Sequence, residues 1–219
     1  MTEEHPPLKL VVLISGRGSN LKAILEAIDA GELHAVVCAV ISDRADAPGL
    51  EHARKRAIDT LALDAADYPD RAAYDRALQG MVDLFHPELV VLAGFMRILS
   101  PAFVNHYAGR LINIHPSLLP RFRGLNTHRR AIEAGADEHG ASIHFVTEEL
   151  DGGPVVAQIR LPVLTGDNAD TLAQRVLEQE HHLYVTVIQW VAEGRVTLDD
   201  DGLRFDGKAL DAPKQLEAK

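Results

Sequence analysis

The sequence has a single cysteine and no long apolar segment. Cys38 cannot form a disulfide within the chain, and its place in the apolar run AVVCAVI predicts a reduced core residue. No run of 18 apolar residues occurs, which argues against a membrane-spanning helix. The acidic start MTEEHPPLKL is unlike a secretory signal. Together these absences predict a cytoplasmic protein.

Basic residues are also few. The chain has 22 Lys and Arg against 32 Asp and Glu, a formal net charge of -10. Nucleic-acid binding needs clustered positive charge, so we expect no nucleic-acid partner and no membrane surface, only small molecules. The histidines show no spacing typical of a metal site, since His181 and His182 are adjacent, and we predict no metal.

What the chain does have is a regular alternation of strand and helix patterns. Apolar runs at 8–15, 34–42 and 87–94 predict buried parallel strands, and amphipathic segments between them predict helices. The alternation indicates an α/β fold with a Rossmann-like, doubly wound and mostly parallel sheet. Two further strand patterns, 140–150 and 153–163, flank the turn DGG and predict an antiparallel C-terminal extension.

We interpret residues 1–219 as a single domain. Residues 8–94 form an N-terminal half with a candidate phosphate-binding loop, and residues 95–194 form a C-terminal half with the candidate catalytic residues. Residues 195–219 form a tail, and we expect its polar end, KALDAPKQLEAK at 208–219, to be frayed. The 12-residue segment 116–127 contains two prolines and is long for a connection in a compact domain, which favours a functional or a disordered loop.

Three segments lie where a doubly wound sheet binds ligands, beyond the carboxyl ends of its strands. The first, SGRGSN at 15–20, joins a strand to a helix. Its glycines let backbone N–H groups approach an anion, and a helix that begins near Ser19 adds the positive end of a dipole. The segment matches neither GxGxxG nor the Walker pattern. It predicts either a phosphate-binding loop or a glycine-rich turn with Ser19 or Asn20 as a helix cap.

The second segment is a strand end, GRLINIHP. Asn113 and His115 are two residues apart, so their side chains point to the same face, and Pro116 ends the strand. An amide N–H and an imidazolium N–H on one face can both donate to a developing oxyanion, and the histidine can transfer a proton. The alternative is a hydrogen-bonded structural histidine. No Ser or Cys is visibly paired as a nucleophile, so the attacking group would come from a substrate.

The third segment is ELDGGP. Asp151 is either a turn residue, the commonest role of Asp-Gly, or a carboxylate that approaches His115 and raises the pKa of its imidazole. Both interpretations fit the sequence.

The chain resembles the 10-formyltetrahydrofolate-dependent formyltransferase family over roughly residues 8–194. The resemblance is carried by four motifs, which are, in chain order, VVLISGRGSNL, VVLAGFMRILSP, NIHPSLLP and HFVTEELDGGP. NIHPSLLP and DGGP mark the wider family, while SGRGSN narrows the resemblance to the phosphoribosylglycinamide formyltransferases of purine biosynthesis. It implies that the formyl group of the co-substrate 10-formyltetrahydrofolate passes directly to the amine of phosphoribosylglycinamide, without a covalent enzyme intermediate.

The resemblance also implies site residues. Asn113 and His115 match the pair that stabilises the oxyanion, with His115 also the proton donor, and Asp151 matches the carboxylate that raises the pKa of that histidine. The implied substrate-binding residues are Gly18, Ser19, Asn20 and Glu180. The implied folate-binding residues, in the C-terminal half apart from Arg71, are Arg71, Met96, Arg97, Ile98, Leu99, Asn113, Thr147, Glu148, Glu149, Leu150 and Asp151.

The main alternative is a formyltetrahydrofolate hydrolase, which passes the formyl group to water. Such enzymes carry an additional N-terminal domain, and here the first strand pattern begins at Leu8. A methionyl-tRNA formyltransferase would need a tRNA-binding domain after Gly194, and a ligand-binding module would not need the complete catalytic set. A NAD-binding protein is disfavoured because the dinucleotide spacing is absent.

Arg123 replaces a proline expected in close relatives, so the shape of the 116–127 loop is expected to differ. Monomer and homodimer both fit the sequence.

Overall fold

The structure is a computed structural model that describes residues 6–219. The first five residues, part of the segment judged unlike a secretory signal, lie outside the described residues. The strands are β1 (Leu8–Ile14), β2 (Ala35–Ser42), β3 (Asp59–Ala62), β4 (Leu89–Leu92), β5 (Leu111–His115), β6 (Glu138–Phe145), β7 (Val155–Pro162), β8 (Val196–Asp199), β9 (Gly202–Phe205), β10 (Lys208–Ala209) and β11 (Lys214–Leu216). The helices are α1 (Ser19–Asp29), α2 (Leu50–Arg54), α3 (Arg71–Asp83), α4 (Pro101–His106), α5 (Thr127–Glu133) and α6 (Ala169–Ala192).

Eight strands form one sheet, in the order β11-β7-β6-β5-β4-β1-β2-β3. Within the first five strands, β1 through β5, every pairing is parallel, as the sequence predicts. β6 pairs antiparallel with both β5 and β7, which confirms the predicted antiparallel extension. The strand order reverses between β1 and β4, so the crevice for ligands is expected outside their carboxyl ends.

The central strands are buried on both faces of the sheet. On β1, Leu10, Val12 and Ile14 pack in the same apolar cluster as α1 and α6, while Val11 and Leu13 pack in a second cluster with α3 and α4. A strand covered on both faces needs apolar residues at every position, which is why this run shows no alternation. No helix within residues 6–219 is both long enough and apolar enough to cross a membrane.

The structure corrects two sequence expectations, one at the end of the C-terminal tail and one at Cys38. Residues 208–219 are not frayed: β10 pairs with β9 in a small antiparallel sheet that also contains β8, and β11 adds a parallel edge strand beside β7. The ring of Phe205 packs edge-on against Trp190 of α6, with centroids 5.0 Å apart. Edge strands this short and polar lack the apolar run that indicates a buried strand, so the sequence pattern does not predict them. The other correction is Cys38, which is half-buried on β2 rather than in the core.

Tyr184 of α6 ties two neighbouring strands together. Its side chain is fully buried, and its hydroxyl lies 2.9 Å from the carbonyl oxygen of Leu92 and 3.3 Å from that of Ile112. Leu92 ends β4 and Ile112 lies in β5. The helix therefore holds β4 and β5 together near their carboxyl ends.

Replacing Tyr184 with Phe removes this hydroxyl and leaves buried carbonyls short of a donor. We expect the free energy of unfolding in urea to fall by about 1–2 kcal/mol. Tyr68→Phe is the matched control, because the Tyr68 ring is half-buried and its hydroxyl has no hydrogen bond within the described chain. An equal, small change in both variants would contradict a tethering role for Tyr184.

Candidate active site

A cavity of about 540 Å³ opens at the carboxyl ends of β4 and β5. Its walls are the segments 94–99, 113–116, 124–128 and 146–151, together with the side chains of Leu92, Val104 and His144. Four of the side chains that line it are large, apolar and more than half exposed: Met96, Ile98, Leu125 and Leu150. Apolar side chains concentrated in this way mark a surface that a ligand covers.

Asn113 and His115 both border this cavity, on the same face of β5, as their spacing predicts. His115 is only 5% exposed. Its Nε2 lies 3.0 Å from the carbonyl oxygen of Phe122, and its Nδ1 lies 3.4 Å from Oδ2 of Asp151. Both ring nitrogens therefore face oxygen acceptors.

Asp151 reaches His115 because its segment folds back over the end of the sheet. Its backbone adopts a left-handed conformation (φ 49°), which Asp tolerates better than most residues. Its Oδ2 also accepts a hydrogen bond from the Gly124 backbone N–H at 2.8 Å. The carboxylate thus joins the DGG turn, the 116–127 loop and the imidazole at one point.

His144 is a site residue that the sequence analysis missed. It lies directly opposite Asn113 in the β5–β6 pairing, and it is 2% exposed. Burial lowers the pKa of His144, so the ring is neutral at pH 7. Its Nδ1–H donates to the carbonyl oxygen of Phe145 at 2.9 Å, which leaves Nε2 to accept from Asn113 Nδ2 at 3.2 Å. The motif HFVTEELDGGP contained this histidine, but only the strand register reveals its partner.

This contact fixes the orientation of the Asn113 amide. A neutral His144 offers Nε2 as an acceptor, so the NH₂ group, rather than the amide oxygen, must face it. The second N–H of Asn113 is then left for a group in the cavity. Asp151 Oδ1 lies 3.7 Å from the same His144 nitrogen, so the three polar side chains form one cluster.

The predicted phosphate loop lies at the carboxyl end of β1, outside the residues that line the cavity. α1 begins at Ser19, as predicted, and Gly18 precedes it with a left-handed φ of 70°. A Cβ on Gly18 would lie 2.8 Å from the Gly49 Cα, so only glycine fits. No side chain caps the helix, which disfavours a capping role for Ser19 or Asn20 and leaves the first backbone N–H groups to other partners.

Glu180 and Asn20, predicted from opposite ends of the chain, are brought together by the packing of α1 against α6. Asn20 Nδ2 donates to Glu180 Oε2 at 2.9 Å, and both side chains are buried. Burial raises the pKa of Glu180 to about 7, and the Asn20 hydrogen bond offsets only part of that effect. The Asn20 Oδ1 atom is buried without a partner among the described residues.

Most of the predicted folate-binding residues line the cavity. They are Met96, Arg97, Ile98, Leu99, Asn113, Thr147, Glu148, Glu149, Leu150 and Asp151. Two contacts hold the 94–99 segment in place: the Met96 N–H donates to Ser15 Oγ at 2.8 Å, and the Arg97 guanidinium stacks 4.5 Å from the Tyr74 ring centroid.

Arg71 is the exception among the predicted folate-binding residues. It is the first residue of α3, exposed, and not part of the cavity wall. Arg97 does line the cavity, and its stacking partner Tyr74 lies one turn after Arg71 on the same helix. Arg71 therefore does not line the cavity directly, and its role in folate binding stays a prediction.

Arg123 shapes the 116–127 loop in a way that a proline could not. Its guanidinium forms an ion pair with Glu149, and its carbonyl oxygen accepts from Arg130. The loop is therefore tied to the 146–151 segment across the cavity. Among residues 6–219, no group of three or more His, Cys, Asp or Glu side chains could hold a metal ion.

Comparison with known proteins identifies the family. The formyl transferase family model matches residues 8–188. A phosphoribosylglycinamide formyltransferase from Escherichia coli is 54% identical over 203 residues, 93% of this chain and 96% of that protein. One from Haemophilus influenzae is 44% identical and covers 92% and 95% of the two chains.

A solved structure agrees with these relatives. The phosphoribosylglycinamide formyltransferase from Coxiella burnetii superposes with a TM-score of 0.92 at 48% identity, covering 96% of this chain and 99% of that one. The fold, the match over most of the chain and the identity of its relatives lead to one conclusion. The chain belongs to the formyl transferase family, as a transferase of its phosphoribosylglycinamide formyltransferase branch.

Proposed function

We propose that this enzyme transfers the formyl group of 10-formyltetrahydrofolate to the amine of 5'-phosphoribosylglycinamide. The products are formylglycinamide ribonucleotide and tetrahydrofolate, a step of purine biosynthesis. The observation that carries the proposal is the convergence of Asn113, His115 and Asp151 on one cavity in a chain 54% identical to an enzyme of that name. Such a role agrees with the predicted cytoplasmic location, which stays a prediction.

Asn113 and His115 act on the oxygen of the formyl group. As the substrate amine attacks the formyl carbon, that oxygen gains negative charge. The free N–H of Asn113 donates to it, together with the Nε2–H of the His115 imidazolium, which the Phe122 carbonyl oxygen shares. The amine loses a proton and the departing folate nitrogen gains one, with His115 as the proton carrier. No protein nucleophile is required, because the enzyme holds two substrates in the geometry for direct attack.

Asp151 stabilises the charged form of His115. A carboxylate 3.4 Å from Nδ1, in a site where both side chains are almost fully buried, favours an imidazolium over a neutral ring. The Gly124 N–H donates to Oδ2 of Asp151, so the carboxylate is held in place for this role.

The phosphate group of the acceptor would bind at Gly18, Ser19 and Asn20, where uncapped backbone N–H groups and the dipole of an 11-residue helix favour an anion. Glu180, hydrogen-bonded to Asn20, would contact the glycinamide part. Residues 8–94 would thus serve the phosphate, and residues 95–194 the folate and the chemistry.

The cavity suits a folate. A pterin is flat and largely apolar, and the exposed apolar side chains at the cavity would cover it. Arg97 lies in the cavity wall and stacks on Tyr74 of α3. Arg71 lies one turn before Tyr74 on the same helix. The guanidinium of either arginine can pair with the carboxylates of the glutamate tail. No step of this scheme uses a metal.

Replacing His115 with Ala removes one oxyanion donor and the proton carrier. We expect kcat to fall about 100- to 1000-fold in a formyl-transfer assay that follows the deformylated folate by absorbance. His106→Ala is the control, since His106 is a partly exposed histidine of α4 that pairs with Asp83 outside the cavity.

The same assay separates transferase from hydrolase. A transferase releases the folate product only when phosphoribosylglycinamide is present. Release at an equal rate without it would refute the proposed function and favour the hydrolase. Full activity of His115→Ala would refute the assigned role of the imidazole.

Glu180 should make stability depend on pH. Between its ordinary pKa of 4.5 and about 7, the unfolded chain has lost the carboxyl proton while the folded chain retains it. The free energy of unfolding should therefore fall as the pH rises through this window, by up to about 3 kcal/mol relative to Glu180→Gln. Gln at this position can still accept the Asn20 hydrogen bond.

Urea unfolding of both proteins at several pH values from about 5 to about 8 measures this difference. Glu178→Gln, an exposed neighbour on α6, is the control and should parallel the wild type. A wild-type minus Glu180→Gln difference that stays constant across the window would show that the carboxyl is not perturbed by burial.

A further inference from the structure

Four polar residues form a row across the sheet that begins at His115. Ser142 lies opposite His115 in the β5–β6 pairing, and Gln158 lies opposite Ser142 in the β6–β7 pairing. Gln215 lies opposite Gln158 in the β7–β11 pairing. Directly paired residues project to the same face of a sheet, so the row runs from the catalytic strand to the C-terminal edge.

The inner members of the row hold the first turn of the 116–127 loop. Ser142 Oγ accepts from the Leu119 N–H at 3.0 Å and donates to the Ser117 carbonyl oxygen at 2.7 Å. Gln158 Nε2 donates to the Leu119 carbonyl oxygen at 2.8 Å and to Ser142 Oγ at 3.0 Å. At the edge, Gln215 Nε2 lies 3.3 Å from Gln158 Oε1.

The inner part of this network, formed by Ser142 and Gln158, is buried and fully satisfied. Ser142 is 0% exposed and Gln158 is 3% exposed. The serine uses its one donor and two acceptor positions, and both amide hydrogens and the oxygen of Gln158 have partners. A buried network without unpaired atoms stabilises one arrangement and disfavours its alternatives.

The turn that it holds leads directly to the imidazole. Ser117 Oγ donates to the Arg121 carbonyl oxygen at 2.6 Å, and the next residue, Phe122, has a left-handed φ of 55°. Its carbonyl oxygen is the acceptor 3.0 Å from His115 Nε2. The position of that carbonyl thus depends on the geometry of the turn at 117–121.

We propose that Gln158 is a positioning residue for His115. Acting through Ser142 and the turn at 117–121, it holds the Phe122 carbonyl against the imidazole and so fixes the ring for proton transfer. Gln158 lies outside the residues that line the cavity, and nothing in its own sequence context marks it. The inference rests on the proposed role of His115.

The test uses two variants of the full chain, Gln158→Met and Ser142→Ala. Methionine is close to glutamine in size but cannot donate, and alanine removes only the hydroxyl. Each should lower kcat for formyl transfer by about tenfold or more, because a small displacement of a catalytic group is costly. The KM for phosphoribosylglycinamide should stay within about twofold of the wild type, since the phosphate loop is untouched.

Because both variants act on one turn, their effects should not add. The double variant should lose less than the product of the two single losses, which is the mark of coupled residues. Gln189→Met is the matched control: this half-buried glutamine of α6 bonds to Glu193 and to the His34 N–H, away from the turn at 117–121. Its kcat should equal that of the wild type.

A readout at the imidazole separates positioning from a general loss of stability. In ¹⁵N NMR spectra, the Nε2 resonance of His115 should move in Gln158→Met and Ser142→Ala and stay in place in Gln189→Met. A folded Gln158→Met with wild-type kcat, or with lowered kcat but an unmoved Nε2 resonance, would overturn the inference. If Gln158→Met does not fold, Ser142→Ala decides by the same criteria. An inactive wild type would instead refute the proposed function.

Discussion

The antiparallel pairing of β6 with β5 is the interaction on which the site depends. β5 is parallel to β4 on one side and antiparallel to β6 on the other, so its carboxyl end faces the middle of β6. That pairing sets His144 against Asn113 and Ser142 against His115. A shift of β6 by one residue would turn His144 and Ser142 to the opposite face and separate them from Asn113 and His115.

Burial and hydrogen bonding then give similar groups different surroundings. Burial lowers the pKa of His144, whose Nε2 acts as an acceptor, whereas both ring nitrogens of His115 face oxygen acceptors. Glu180 is desolvated, and Asp151 is held by a backbone N–H and by imidazole. In the proposed function, an acidic protein with a net charge of -10 would bind anionic substrates through local donors and helix ends rather than through its overall charge.

Much of the fold and of the site was predictable from short-range patterns. Unbroken apolar runs indicated parallel strands, the glycines of SGRGSN indicated an anion-binding turn, and the spacing of Asn113 and His115 placed them on one face. The pattern failed where structure depends on partners remote in sequence. β11 is too short and polar to be recognised, whereas the folate-binding role of Arg71, exposed on α3, stays a prediction.

The sequence by itself determined the family, the parallel strands and the placement of the proposed catalytic pair on one face of a strand, because each is encoded by residues close together in the chain. Only the tertiary structure decided which groups complete that pair. His144, Gln158 and the Phe122 carbonyl act on Asn113 and His115 through strand register and loop geometry. These contacts join residues at separations along the chain that match neither the helix nor the strand repeat. A sequence pattern therefore cannot indicate them, and they form only once the sheet has formed.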